Sequence, residues 1–188
     1  MARAGVSVEG LVRAAAELAD EVGFAQVTVS ALARRFSVTV ASLYSHVKNI
    51  EELRVRVAAL ALGELADLGA EAVAGRAGKD ALVAFAGAYR GYALSHPGRY
   101  AAAGLRVDAS SVAAAPALRN SELIRALLRQ YGLSGAEEVH AVRLVSSVVH
   151  GFAGLEGAGA FVHSGGVDES WARALDALDV ALVNWPRP

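Results

Sequence analysis

The chain contains no cysteine. That removes disulfides, thiol nucleophiles and the usual structural zinc sites together, and it agrees with a reducing compartment. Long apolar runs are missing too. Hydrophobic residues make up 54% of the chain, much of that alanine. Yet no run of about 18 strongly apolar residues is free of charge or glycine, so no membrane-spanning helix is expected. The opening MARAGVSVEG has no apolar stretch behind its arginine and no cleavage pattern, so a soluble, cytoplasmic protein is the expectation. Also absent are H-E-x-x-H, G-x-S-x-G, the phosphate loop and the dinucleotide fingerprint. His140 and His150 stand ten residues apart, about 80° from one another around a helix, which suits no shared metal. No catalytic role, cofactor or metal ligand set is expected.

Net charge is only −1, but its distribution is uneven. No acidic residue occurs between Glu21 and Glu51, whereas Arg34, Arg35, His46 and Lys48 fall inside that interval. Residues 57–188 carry 11 basic and 13 acidic side chains. A cationic interval on a near-neutral chain points to phosphate contact, although a solvated helix face produces the same pattern.

What the sequence has in abundance is helical periodicity. Val8, Leu11, Val12, Ala15, Leu18, Ala19 and Val22 follow the i, i+3, i+4 rule, with Ser7 as N-cap and Gly23 past the end. Thr28 caps a second segment through Leu32 to Arg35, and Thr39 a third through Leu43 to about His46. Asn49 with Glu52 is a capping-box variant opening a long fourth helix. GAEAVAGRAGKD reads as a connection. A helix through Leu82, Phe85 and Tyr89 is stopped by His96-Pro97. RVDASSVAAAP reads as a loop, followed by helices from Leu118 to Tyr131, from a Ser134/Glu137 capping box to about Gly157, and from an Asp168 cap to Trp185. The expectation is an all-α fold of about nine helices. Residues 1–50 form a three-helix head, and helix 4 leads into a body over 51–188.

TVSALARRFSVTVASLYSHVKN, residues 28–49, holds two helices of about eight residues joined by Phe36-Ser37-Val38, the size of a helix-turn-helix. Helices that short are marginal alone and must lean on the first. With Leu43 pointing inward, Ala41 and Ser45 point nearly opposite, flanked by Ser42 and Tyr44. Such a face of small residues plus one tyrosine can approach a major groove closely. Its hydroxyls can reach phosphates, and Val40 or Ala41 can touch a thymine methyl.

Residues 11–55, above all LARRFSVTVASLYSHVKNIEEL, resemble the DNA-binding head of the TetR family of bacterial transcriptional regulators. The shared positions are Thr28, Leu32-Ala33, Val38, Ser42-Leu43-Tyr44-Ser45-His46 and Lys48. The resemblance implies base contacts from Val40, Ala41 and Tyr44. It implies phosphate contacts, or support for them, from Thr28, Thr39, Ser42, Ser45, His46 and Lys48, with backbone N–H groups at Asn49-Ile50. Ser37 stands where the family usually has glycine, Val47 where phenylalanine is commoner, and Ile50 where a second lysine is frequent. Arg34 and Arg35 are read as contributors to the field only.

In the body, VVHGFAGLEGAGAF is similar to the C-terminal ligand-binding domain type named for a Trp-His-Gly tripeptide, with Val149 in place of the Trp. Gly151, Gly154 and Gly157 recur every three residues despite the helix penalty of each, about 0.8–1 kcal/mol. The resemblance implies a homodimer through the last two long helices, where Leu144, Val148, Leu175, Leu178, Ala181 and Leu182 offer an apolar stripe, although an intrachain core has the same pattern. Candidates for a small-molecule effector pocket are Phe85, Tyr89, Tyr92, His96, Tyr100, His150 and Phe152, although the spacing of the first four also suits core. The implied function is a repressor released from a palindromic operator by a small molecule. The competing reading is a helical sensor or interaction module with weak or lost DNA binding.

Overall fold

Ser7 accepts the N–H of Gly10 at 3.0 Å and opens α1 (Val8–Val22), which ends at Gly23 with φ 90°. The computed structural model describes residues 7–162 and 165–186. The apolar stripe of α1 is what becomes buried: Leu11, Ala15, Ala16 and Ala19 expose no surface. A 3-10 turn (Phe24–Gln26) leads to α2 (Val29–Phe36), and α3 (Val40–Leu43) follows across Ser37. The third helix is shorter than its periodicity indicates. Beyond Leu43 the bonds tighten to i→i+3, with Ser45 N–H to Ser42 at 3.4 Å and His46 N–H to Leu43 at 3.0 Å.

The cap of α4 (Ile50–Val73) is reciprocal, as expected. The Glu52 N–H donates to Asn49 Oδ1 at 2.8 Å, and the Lys48 N–H donates to Glu52 Oε2 at 2.7 Å. The Gly/Ala-rich stretch that reads as a connection is mostly helix, leaving residues 74–77 between α4 and α5 (Gly78–Ser95). Gly69 is there for closeness: a Cβ on it would lie 3.3 Å from ring carbons of Phe85 and Tyr89.

Pro97 ends one helix and opens another. Its missing N–H is no loss at the first helical position, so α6 (Pro97–Ala103) starts where the sequence reading placed only a stop. Gly98 brings α6 onto α1 so tightly that a Cβ would sit 2.0 Å from the Ala19 carbonyl. His96 Nδ1 lies 3.1 Å from Asp20, which also accepts the Arg99 N–H at 2.8 Å. α7 (Ala114–Arg129) begins before Leu118, with Pro116 tolerated in its first turn.

α8 (Gly135–Gly157) has Ser134 at its N-cap without a side-chain bond, so the expected box is not made. Glu137 instead accepts the Trp185 indole N–H at 2.7 Å. α9 (Val167–Val183) starts from Gly166, not from Asp168, whose carboxylate is drawn to Arg90 at 2.7 Å. Among the described residues there are nine α-helices and no strand. None of these helices is long and apolar enough to cross a membrane.

The chain divides into two compact units, and α4 contributes to both. One comprises Met1–Glu64 with His96–Ala117, the other Leu65–Ser95 with Leu118–Pro188. In the first, Leu11, Leu32, Leu43, Val47, Leu53 and Val57 share one core. In the second, Leu82, Phe85, Leu128, Val145, Leu175 and Leu182 are at most 2% exposed. There Arg90 on α5 joins Glu156 on α8 through two bonds of 2.6 Å, beneath the rings of Phe152 and Trp171.

Candidate nucleic-acid interface

The head turns one face inward and the other out. Leu43 is fully buried and Val47 is 3% exposed, so α3 and the turn after it are pinned from behind. Val40 is 37% exposed and Tyr44 49%, so both present surface to solvent. Thr28, Thr39, Ala41, Ser42, Ser45 and Lys48 are also exposed, and His46 is half-buried. All nine residues read from the sequence as DNA-contacting therefore belong to one short exposed stretch and the cap before it.

Hydrogen bonding separates the hydroxyls. Thr28 Oγ1 accepts the Ala31 N–H and Thr39 Oγ1 accepts the Ser42 N–H, each at 3.2 Å. Both caps leave their own O–H to donate, which is what a phosphate oxygen requires. Ser45 differs: its hydroxyl already donates to the Ser42 carbonyl at 2.7 Å, so a phosphate would compete for that hydrogen. Ser37 adopts φ 54°, ψ 42°, the left-handed conformation that glycine takes easily.

The cationic interval is thinner in space than in sequence. Arg35 is held by Glu21 at 2.8 Å and Glu17 at 3.0 Å on α1, which raises its pKa and neutralises it locally. Arg34 and Lys48 remain exposed. At the α4 terminus, Glu51 pairs with Arg54 at 3.0 Å and Glu52 with Arg56 at 2.8 Å. The Lys48 N–H, followed by Arg56, holds the Glu52 carboxyl below the ordinary glutamate value. One contributor lay outside the acid-free interval and was missed: Arg54 reaches the Ala25 carbonyl at 3.4 Å and braces the turn before α2. Its signal is the Glu51/Arg54 spacing of three.

The candidate effector residues do not gather in one place. Phe85, Tyr89 and Tyr92 are at most 4% exposed on α5; the first two stack with centroids 4.3 Å apart, and the Tyr89 hydroxyl donates to Asn120 Oδ1. Phe152 lies 4.9 Å from both Phe161 and Trp171, while His150 is at the surface of α8. His96 and Tyr100 belong to the unit that contains the head. Burial pushes the Tyr100 phenol above its usual range. Of the dimer candidates, Leu175, Leu178 and Leu182 are at most 4% exposed within the single chain, and Leu144 and Val148 are half-buried. The three α9 leucines are thus occupied by their own chain's core.

Residues 11–57 match the family model for bacterial regulatory proteins of the tetR family, and residues 82–178 match that for the tetracyclin repressor-like C-terminal domain. A Mycobacterium tuberculosis protein described as an uncharacterised HTH-type transcriptional regulator is 36% identical over 81% of this chain and 71% of its own. YobS of Bacillus subtilis, described in the same way, is 32% identical over 97% of this chain and 96% of its own. The chain belongs to the TetR family. Solved structures with the same fold include an Acinetobacter baumannii TetR variant in complex with minocycline, with TM-score 0.74 and 26% identity, covering 97% of this chain and 99% of that one. Another is BioQ, a Mycobacterium smegmatis protein, solved with its double-stranded DNA operator, with TM-score 0.64 and 24% identity, covering 95% and 98%. The outward stretch Thr39–Lys48 is therefore the second half of a TetR-family helix-turn-helix, and this regulator carries it on a head braced by α1.

Proposed function

We propose that the chain is a cytoplasmic, homodimeric repressor that reads a palindromic operator with its two heads and releases it on binding a small molecule. No catalytic role is assigned. The head is residues 1–50, and effector binding and dimerisation belong to 51–188. The observation that carries the reading is the exposure of Val40, Ala41, Ser42 and Tyr44 over a buried Leu43. None of these side chains is Arg, Asn or Gln, so the bidentate guanine and adenine contacts are not available from them. Sequence preference then rests on thymine methyls, Tyr44 and DNA shape. Thr28 and Thr39 donate to phosphate, with Ser42, Ser45, His46 and Lys48 beside them.

Two heads are needed because one short helix reads few bases; a two-fold pair addresses half-sites about 34–36 Å apart or a multiple. Gly151, Gly154 and Gly157 support a second copy on α8. Among the described residues a Cβ at any of them would meet nothing within 4 Å, so packing against these does not require their smallness. Close approach of a partner helix would. On α9, Ala177, Val180 and Ala181 are exposed as well, and Leu144 and Val148 on α8 are half-buried. An effector then needs to shift operator affinity by only about 1–3 kcal/mol.

The test is DNA binding against salt, using double-stranded sites selected from random sequence. Log affinity should fall linearly with log salt, by about 0.9 per phosphate contact. Tyr44→Phe should weaken the selected site several-fold with helix content unchanged. Salt-insensitive binding, or no enriched sequence, would favour the interaction-module reading.

A further inference from the structure

The second unit carries a groove of about 600 Å³ between α4 and α7. Its floor is small and apolar: Ala66 and Ala70 on α4, Leu123 and Ala126 on α7. Arg119, Arg125 and Arg129 line the α7 side, with Glu122 among them. The three guanidinium groups are unequally engaged. Arg119 is bound to Asp67 at 2.5 Å. Arg125 approaches Glu138 only to 3.9 Å, and Arg129 has no ion pair among the described residues.

Arg125 and Arg129 stand four residues apart, so like charges share one helix face and repel. Glu122, also facing the groove, pairs with neither among the described residues. An anion bridging the two guanidinium groups would relieve that repulsion, and their planar forks suit a carboxylate. The floor offers no hydrogen-bonding side chain, so the rest of such a ligand has to be apolar. The groove has the size of a small-molecule site. Behind it Leu123 lies against Gly69, itself in contact with Phe85 and Tyr89. A wedge under Leu123 would press on the Tyr89 to Asn120 tie between α5 and α7.

We infer that this groove binds a small amphiphilic carboxylate, headgroup on Arg125 and Arg129 and chain over Ala66 and Ala70. The inference rests on the reading of the second unit as effector-sensing and names the effector's class. Calorimetric titration of the full chain with decanoate and with 1-decanol tests it. Decanoate should bind at least ten-fold more tightly than the alcohol. The double variant Arg125→Gln, Arg129→Gln should abolish that difference while leaving the circular dichroism unchanged. Ala70→Phe, at an exposed position, fills the groove without altering charge and should weaken decanoate ten-fold or more. Equal affinity for acid and alcohol, or undiminished decanoate binding in either variant, would overturn the site. Operator binding is then measured with and without decanoate. Arginine-dependent binding that leaves operator affinity unmoved would keep the site and overturn the effector assignment. Release of the operator by another compound, with no decanoate bound, would overturn the groove and leave the effector reading standing.

Discussion

At the residue scale, a few side chains fix how the head presents itself. Thr28 and Thr39 hold helix ends with their oxygens and keep their hydrogens for an acceptor, whereas Ser45 has given its hydrogen to Ser42. The same residue types in one exposed stretch thus differ in what they can offer a phosphate, and nothing in their spacing distinguishes them. Ser37 is the one non-glycine at positive φ among the described residues, at a turn that the resemblance already marks as a glycine position. A left-handed conformation costs a residue with a Cβ about 1–2 kcal/mol, and glycine returns part of that through its larger entropy loss on folding. Ser37→Gly should therefore raise stability by about 1 kcal/mol, read as a higher urea midpoint at unchanged slope.

At the element scale, the start of α4 is held by an exchange of bonds between Lys48, Asn49 and Glu52. The Glu52 carboxyl titrates lower folded than unfolded, chiefly through the Lys48 N–H and then Arg56. Its contribution is therefore complete above its ordinary value of 4.5 and is lost as pH falls through the folded value. Glu52→Ala should lower stability by about 1 kcal/mol at neutral pH. The gap between variant and parent should close as pH falls from 4.5 through the lower folded value, which denaturant titrations at several pH values would show. This cap was legible because Asn and Glu three apart before an apolar run form a local signal. The Ser134/Glu137 pair has the same spacing and makes no cap, because Glu137 bonds instead to Trp185, a residue 48 positions away. Pro97 misled for a local reason: proline is compatible with both the end of one helix and the first turn of the next.

At the scale of the whole molecule, the apolar stripes of α8 and α9 have two sides. Leu178 is 4% exposed within one chain, whereas Val180, two positions on, is 59% exposed. Val180→Glu should give a folded monomer by sedimentation, if the partner covers that face. Leu178→Glu should instead unfold the second unit, since a carboxylate cannot be placed in that core without several kcal/mol of desolvation. A dimer retained in Val180→Glu would move the interface off this face of α9.

The sequence by itself determined the all-α class, the helix-turn-helix and the family, because these rest on periodicities, caps and a register of residues within about thirty positions. It also placed the outward face of Ala41, Ser42, Tyr44 and Ser45, since one buried leucine sets the direction of its neighbours on a helical turn. Only the tertiary structure decided which charges are neutralised and which apolar stripes are already covered. Arg35 reads as a cation in the sequence and is bound to Glu17 and Glu21 in space. The α9 leucines suit interface or core in the sequence and are buried in their own chain in space. Both outcomes depend on partners distant along the chain, and a helix's own pattern gives the width of its apolar or charged face but not what packs against it.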